Sequence, residues 1–238
     1  MEQQDLERLI REKEGALSLQ FPALMRKVYV WMTLALVITA VTAYGVAHSE
    51  ALVSSMYESR GLLWGLLLAE LALVFGISRF INRLSLVTAT LLFILYSALN
   101  GATLSVIFLA YSSEVITKVF FITAGTFGAM ALFGYFTKAD LSGLGKILIM
   151  ALVGIIIATI VNLIFFKSGM FDLIVSYIGV LVFVGLTAYD SQKIKQMLAQ
   201  ANDMGEEAQK MALMGSLTLY LDFINLFLYL LRIFGRER

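Results

Sequence analysis

The chain has 238 residues, of which 60% are hydrophobic and one is proline, and its mean hydropathy of +0.85 places it outside the range of soluble domains. It reads as an all-α, polytopic membrane protein. A formal net charge of +1 gives no basic surface for nucleic acid, the absence of cysteine excludes disulfides and thiolate chemistry, and a single histidine excludes histidine-based catalytic or metal clusters.

Residues 1–27 form a polar segment of mixed charge. Leu6, Leu9 and Ile10 give it a weak apolar face, suited to a short helix at a membrane surface. Its five acidic residues argue against a cleaved signal peptide. Pro22 separates this segment from the first span and is expected to start that helix.

Seven apolar segments follow within one transmembrane domain, 28–235, ahead of a short polar tail at 236–238. They are placed at Val28–Ala47, Leu62–Ile77, Leu84–Ala110, Val115–Phe136, Ile147–Phe166, Leu173–Tyr189 and Met211–Leu231. Short connections predict antiparallel neighbours. The long link is Ser191–Lys210, whose Asp203, Glu206 and Glu207 predict a solvated stretch, and His48 reads as a loop residue. Twelve Lys and Arg side chains fall on the side of the N-terminus and six on the other, so the N-terminus is expected in the cytoplasm. Arg232, Arg236 and Arg238 then lie on the disfavoured side. A last segment that enters and returns would remove that conflict, so the sequence leaves the seventh crossing open.

Small residues recur at helix-packing spacing. Ser97, Gly101 and Ser105 line one face of the third span, and Ala124 and Gly128 one face of the fourth. Asn100 and Asn162 are expected to hydrogen-bond across helices. Arg79 and Arg83 flank the turn between the second and third spans, where snorkelling to the interface is the plain reading, preferred for Arg79.

Two acids lie within spans. Glu70 is in the middle of the second, and Asp222 is near the centre of the last, where a carboxylate costs about 2.5–3.5 kcal/mol on insertion scales. Asn225, three positions beyond Asp222, shares its face. Asp190 ends the sixth span and is equally readable as an interfacial residue. If Asp190 and Asp222 meet, like charges at a low-dielectric site favour sharing one proton. They meet only if the last helix begins late, near Gly215 or Ser216, or sinks toward the cytoplasm.

Four stretches in consistent order resemble the signatures of the Bax inhibitor-1 family. Two are Leu186-Thr187-Ala188-Tyr189-Asp190-Ser191-Gln192-Lys193-Ile194 and Leu219-Tyr220-Leu221-Asp222-Phe223-Ile224-Asn225-Leu226-Phe227. The others run from Leu95 to Ser105 and from Gly134 to Ser142. The likeness covers about Met25 to Gly235 and is closest to the bacterial inner-membrane branch. It implies a seven-helix bundle with the C-terminal helix central, and a pH-sensitive calcium leak. Its proton-sharing aspartates correspond by motif to Asp190 and Asp222, and its arginine to Arg83, with Arg79 as the alternative. Glu70 matches an acidic position of the second span, and Glu70, Asn225 and Asn100 are candidate positions on an ion path. No cofactor and no tightly bound metal are expected; the partners are calcium ions, the lipid bilayer and other membrane proteins.

Two other functions compete with the leak. Tyr189-Asp190 followed by a second aspartate on the next span also suits an intramembrane aspartyl protease. However, Asp222 follows Leu219-Tyr220-Leu221 rather than Gly-x-Gly, and Pro22, the one proline, lies too early for a Pro-Ala-Leu element. A non-conducting bundle that regulates proteases or cell-death and stress factors through its polar N-terminal segment is the other rival.

Overall fold

The structure is a computed structural model and describes residues 2–201 and 203–235. Among the described residues nine α-helices follow one another: α1 (Glu2–Ala47), α2 (Glu50–Glu58), α3 (Arg60–Phe80), α4 (Leu86–Leu104), α5 (Ile107–Ala110), α6 (Ser113–Phe136), α7 (Ser142–Val161), α8 (Gly169–Ala199) and α9 (Glu206–Phe234). A π-helical turn, Asn162–Phe166, extends α7. Seven helical stretches among these residues are long and apolar enough to cross a membrane: Pro22–Ala47, Gly61–Phe80, Leu86–Ala110, Ser113–Phe136, Ser142–Phe166, Gly169–Ala199 and Glu206–Phe234. The tail at 236–238 lies outside the described residues.

Polar side chains stop and start these helices where the chain turns. Ser85 Oγ accepts from the Thr88 amide at the start of α4, and Ser168 Oγ from the Phe171 amide at the start of α8. Lys167, between α7 and α8, takes the left-handed conformation (φ 47°) that lets the chain reverse.

The C-terminal helix is the hub. Leu217, Leu219, Tyr220, Leu226 and Leu231 of α9 are fully enclosed, and its main neighbours are α1, α4, α6 and α8. The central position is as expected, but four helices rather than six make the principal wall. α3 reaches the bundle through α4, and α7 through α8. The 29 residues of α9 form one uninterrupted helix about 44 Å long, enough to cross a 30 Å hydrocarbon core. A last segment that turns back is therefore ruled out.

Three other expectations are corrected. Pro22 lies inside α1 rather than at its start. A proline within a helix costs roughly 3 kcal/mol, offset here because Leu24, Met25 and Val28 just beyond it are buried in the core. α8 does not stop at Tyr189 but runs on to Ala199, and α9 begins at Glu206, so the solvated link contracts from 191–210 to 200–205. Two polar residues of this extension bond backbone groups: Gln192 Nε2 donates to the Ala139 carbonyl (2.7 Å), its Oε1 accepts from the Leu141 amide (2.9 Å), and Lys195 Nζ donates to the Tyr135 carbonyl (2.7 Å). Hydropathy marks where a span leaves the apolar layer, not where its helix ends.

The third correction concerns α6. A Cβ on Gly128 would meet nothing within 4 Å, so this glycine makes no close helix contact. The packed stripe is Ile116–Val119–Thr123–Phe127–Ala131–Gly134, and a Cβ on Gly134 would collide with the Ala188 carbonyl of α8. In α4 the expected stripe holds. Ser97, Gly101 and Ser105 are buried, and a Cβ on Gly101 would stand 2.5 Å from the Thr39 carbonyl of α1.

Candidate functional site

The seam between α8 and α9 positions the two aspartates. Asp190 lies more than two turns before the end of α8, and Asp222 near the middle of α9, which begins at Glu206, so their meeting requires no late start of the last helix. Gly134 lets α6 press against α8 at Ala188, just before Asp190, and Ser191 Oγ donates to the Ala131 carbonyl across the same contact (2.8 Å). Gly215 brings α9 against Ile194 one turn beyond. The carboxyl groups of Asp190 and Asp222 face each other within hydrogen-bonding range. Asp222 is 4% exposed, and its enclosed Oδ2 has no donor among the described residues; Asp190 is half-buried. Two ionised carboxylates only accept, so hydrogen bonding between them requires a proton on one.

These residues belong to the two aspartate-bearing stretches singled out in the sequence. A family model for the inhibitor of apoptosis-promoting Bax1 matches residues 22–238. The chain belongs to this family. Inner membrane protein YbhL of Escherichia coli K12 is 52% identical over 215 residues, covering 90% of this chain and 92% of that one. An uncharacterized protein of Borreliella burgdorferi is 45% identical over 214 residues (90% and 92% of the two chains), and one of Deinococcus radiodurans 43% over 219 (92% of each).

Within this Bax inhibitor-1 family member, the remaining predicted residues fall into separate places. Arg79 and Arg83 are both exposed, Arg83 in the α3–α4 turn, and neither forms an ion pair with Asp190 or Asp222 among the described residues. The cation whose charge reaches Asp190 is Lys193, one helical turn along α8. Sequence reading missed it, although a spacing of three on one helix is the signal for such a pair.

Glu70 and Asn100 form a second polar cluster with Tyr220. Glu70 is 7% exposed and accepts from Asn100 Nδ2 (3.0 Å) and the Thr103 hydroxyl. The Tyr220 hydroxyl donates to Asn100 Oδ1 (3.0 Å) and lies 2.7 Å from Thr39 Oγ1, which donates to the Ser97 carbonyl (2.9 Å). The cluster thus joins α1, α3, α4 and α9. Tyr220 and Asp222, two residues apart, point to opposite faces of α9, so this cluster and the aspartate pair are on different sides of the central helix. Asn225 Nδ2 donates to its own helix, at the Leu221 carbonyl (2.8 Å). Asn162 bonds Asp172 (2.6 Å) and Ser168 across the α7–α8 turn, and exposed His48 bonds the Tyr44 carbonyl (2.8 Å). No three His, Asp or Glu side chains gather as metal ligands among the described residues.

Proposed function

We propose that this protein is a passive cation pathway of the bacterial inner (plasma) membrane, with calcium as its cargo, gated by a single proton shared between Asp190 and Asp222. The observation that carries this reading is the facing of two carboxyl groups on the seam of the most buried helix. With the proton in place, the pair links α8 to α9. Without it, two like charges confront each other where little solvent screens them, and the helices part unless a cation compensates. Lys193 on α8 supplies positive charge at one edge of the pair, and Tyr29 of α1 reaches the neighbouring Ser191 (3.4 Å between hydroxyls).

Carboxylate and carbonyl oxygens are the ligands hard cations take, and a pair of acids with no third gathered beside it among the described residues suits a transit point rather than a storage cage. Arg83 is proposed to engage the pair only in the closed form, moving in from the α3–α4 turn. Glu70 and Asn100, tied to one another and to Tyr220, are proposed to hold the helix wall of this path. The distribution of basic residues supports a cytoplasmic N-terminus. Calcium entry into liposomes containing the purified protein, followed across pH, tests the proposal. pH-dependent entry supports it, and entry no faster than in protein-free liposomes at every pH overturns it.

A further inference from the structure

α1 and α6 both lean on α9 but share no extended seam. Between them, in the half of the bundle holding the C-terminal ends of α1 and α9, lies a cavity of about 460 Å³. That is within the range that accommodates small-molecule and cofactor ligands, about 300–1,000 Å³. Phe223, Ile224 and Phe227 of α9 form its floor, all buried from solvent. Ala40 of α1 and Phe120 and Phe121 of α6 stand at its mouth, and all three are exposed.

Two features determine what fills it. The walls are almost wholly apolar, so water gains few hydrogen-bond partners there. Leu104, Ile107 and Phe108 close the cavity at one end, and on the outer faces of the two spanning helices beside it Val37, Val41 and Phe121 are 53%, 67% and 68% exposed. A lateral opening between two spans at this depth faces hydrocarbon.

We infer that one acyl chain of a bilayer lipid enters between α1 and α6 and lies in this cavity against the Phe223–Ile224–Phe227 face of α9. The site is not part of the aspartate seam, and it does not depend on the protein conducting ions. It does reach the second polar cluster, because Thr39 both lines the cavity and bonds the Tyr220 hydroxyl. The bound chain thus lies one hydrogen bond from the tyrosine that holds Asn100 and Glu70.

The test uses the full chain with Trp31 and Trp64 replaced by phenylalanine, leaving one introduced tryptophan to report. In vesicles of phosphatidylcholine brominated on its acyl chains, Phe223→Trp is expected to lose at least half of its fluorescence. Phe183→Trp, equally buried but on the α8–α9 seam, is expected to lose less than a quarter. Adding Ala40→Phe, which narrows the mouth from an exposed position, restores most of the Phe223→Trp signal. Equal quenching at 223 and 183, or quenching at 223 unchanged by Ala40→Phe, overturns the site or its entrance. Native mass spectrometry of the unlabelled protein gives an independent reading should Phe223→Trp fail to fold. Wild type retains one more lipid than Ala40→Phe if the inference holds, and the same number if it fails.

Discussion

Tyr220→Phe removes one oxygen atom and leaves the packing almost untouched. The ring is fully buried and held edge-on by Phe93 (centroids 5.9 Å apart, 88° between planes) and Tyr96 (5.8 Å, 77°), contacts that phenylalanine keeps. The change falls on the hydroxyl. Asn100 Oδ1 loses its donor, while Thr39 Oγ1 loses one partner and keeps the Ser97 carbonyl. A buried acceptor left without a donor costs about 1–3 kcal/mol in soluble proteins. Interhelical hydrogen bonds in membranes average only about 0.6 kcal/mol, with a maximum of about 1.7. The membrane scale governs α9, and the two hydroxyls hold two protons for three contacts, so the net loss is one bond and a destabilisation of about 0.5–1.5 kcal/mol is expected. Reversible unfolding in mixed micelles with increasing denaturing detergent measures it. A double-mutant cycle with Thr39→Val should give a coupling of about 0.5 kcal/mol or more. If Tyr220→Phe matched wild type within about 0.3 kcal/mol, the hydroxyl cluster would not be holding α1, α4 and α9 together.

Gly134→Ala drives a methyl group into the Ala188 carbonyl, a backbone atom that cannot turn aside, so it should destabilise by about 1–3 kcal/mol in the same assay; Gly128→Ala, facing open space, should stay near wild type. The chain has no cysteine, so single cysteines at positions 4 and 56 give clean labelling: position 4 is expected to be shielded in intact cells and position 56 accessible, and labelling of position 4 from outside would reverse the topology. Lys193→Gln is expected to move the midpoint of flux against pH, whereas Arg83→Ala should raise resting flux; a raised flux with Arg79→Ala and not with Arg83→Ala would transfer the closing role to Arg79. Deleting residues 1–20 should leave calcium flux intact.

The spans were legible because hydropathy is a property of composition, and Asp222 stood out because an acid inside an apolar run is costly wherever it is put. Glu70 and Asn100 stood out for the same reason, yet their partners did not. Tyr220 and Thr39 look like ordinary span residues until folding brings together groups 120 and 181 positions apart in sequence. The extension of α8 was hidden because Gln192, Lys193 and Lys195 read as a solvated link. Gln192 and Lys195 in fact bond backbone groups of the α6–α7 region, which no local pattern announces. Gly134 and Gly128 are alike in sequence; only the rotation of α6 about its axis decides which one touches α8. Arg83 rests on resemblance alone, whereas in the structure it is the charge of Lys193 that reaches Asp190.

The central claim is that Asp190 and Asp222 act as one proton-binding unit, and calcium flux into proteoliposomes against pH tests it most directly. Asparagine keeps the shape and hydrogen-bonding capacity of aspartate but cannot titrate. Asp190→Asn and Asp222→Asn are each expected to flatten the profile, with the double variant adding little to either. Wild-type profiles in both single variants would contradict the account and make these aspartates packing residues.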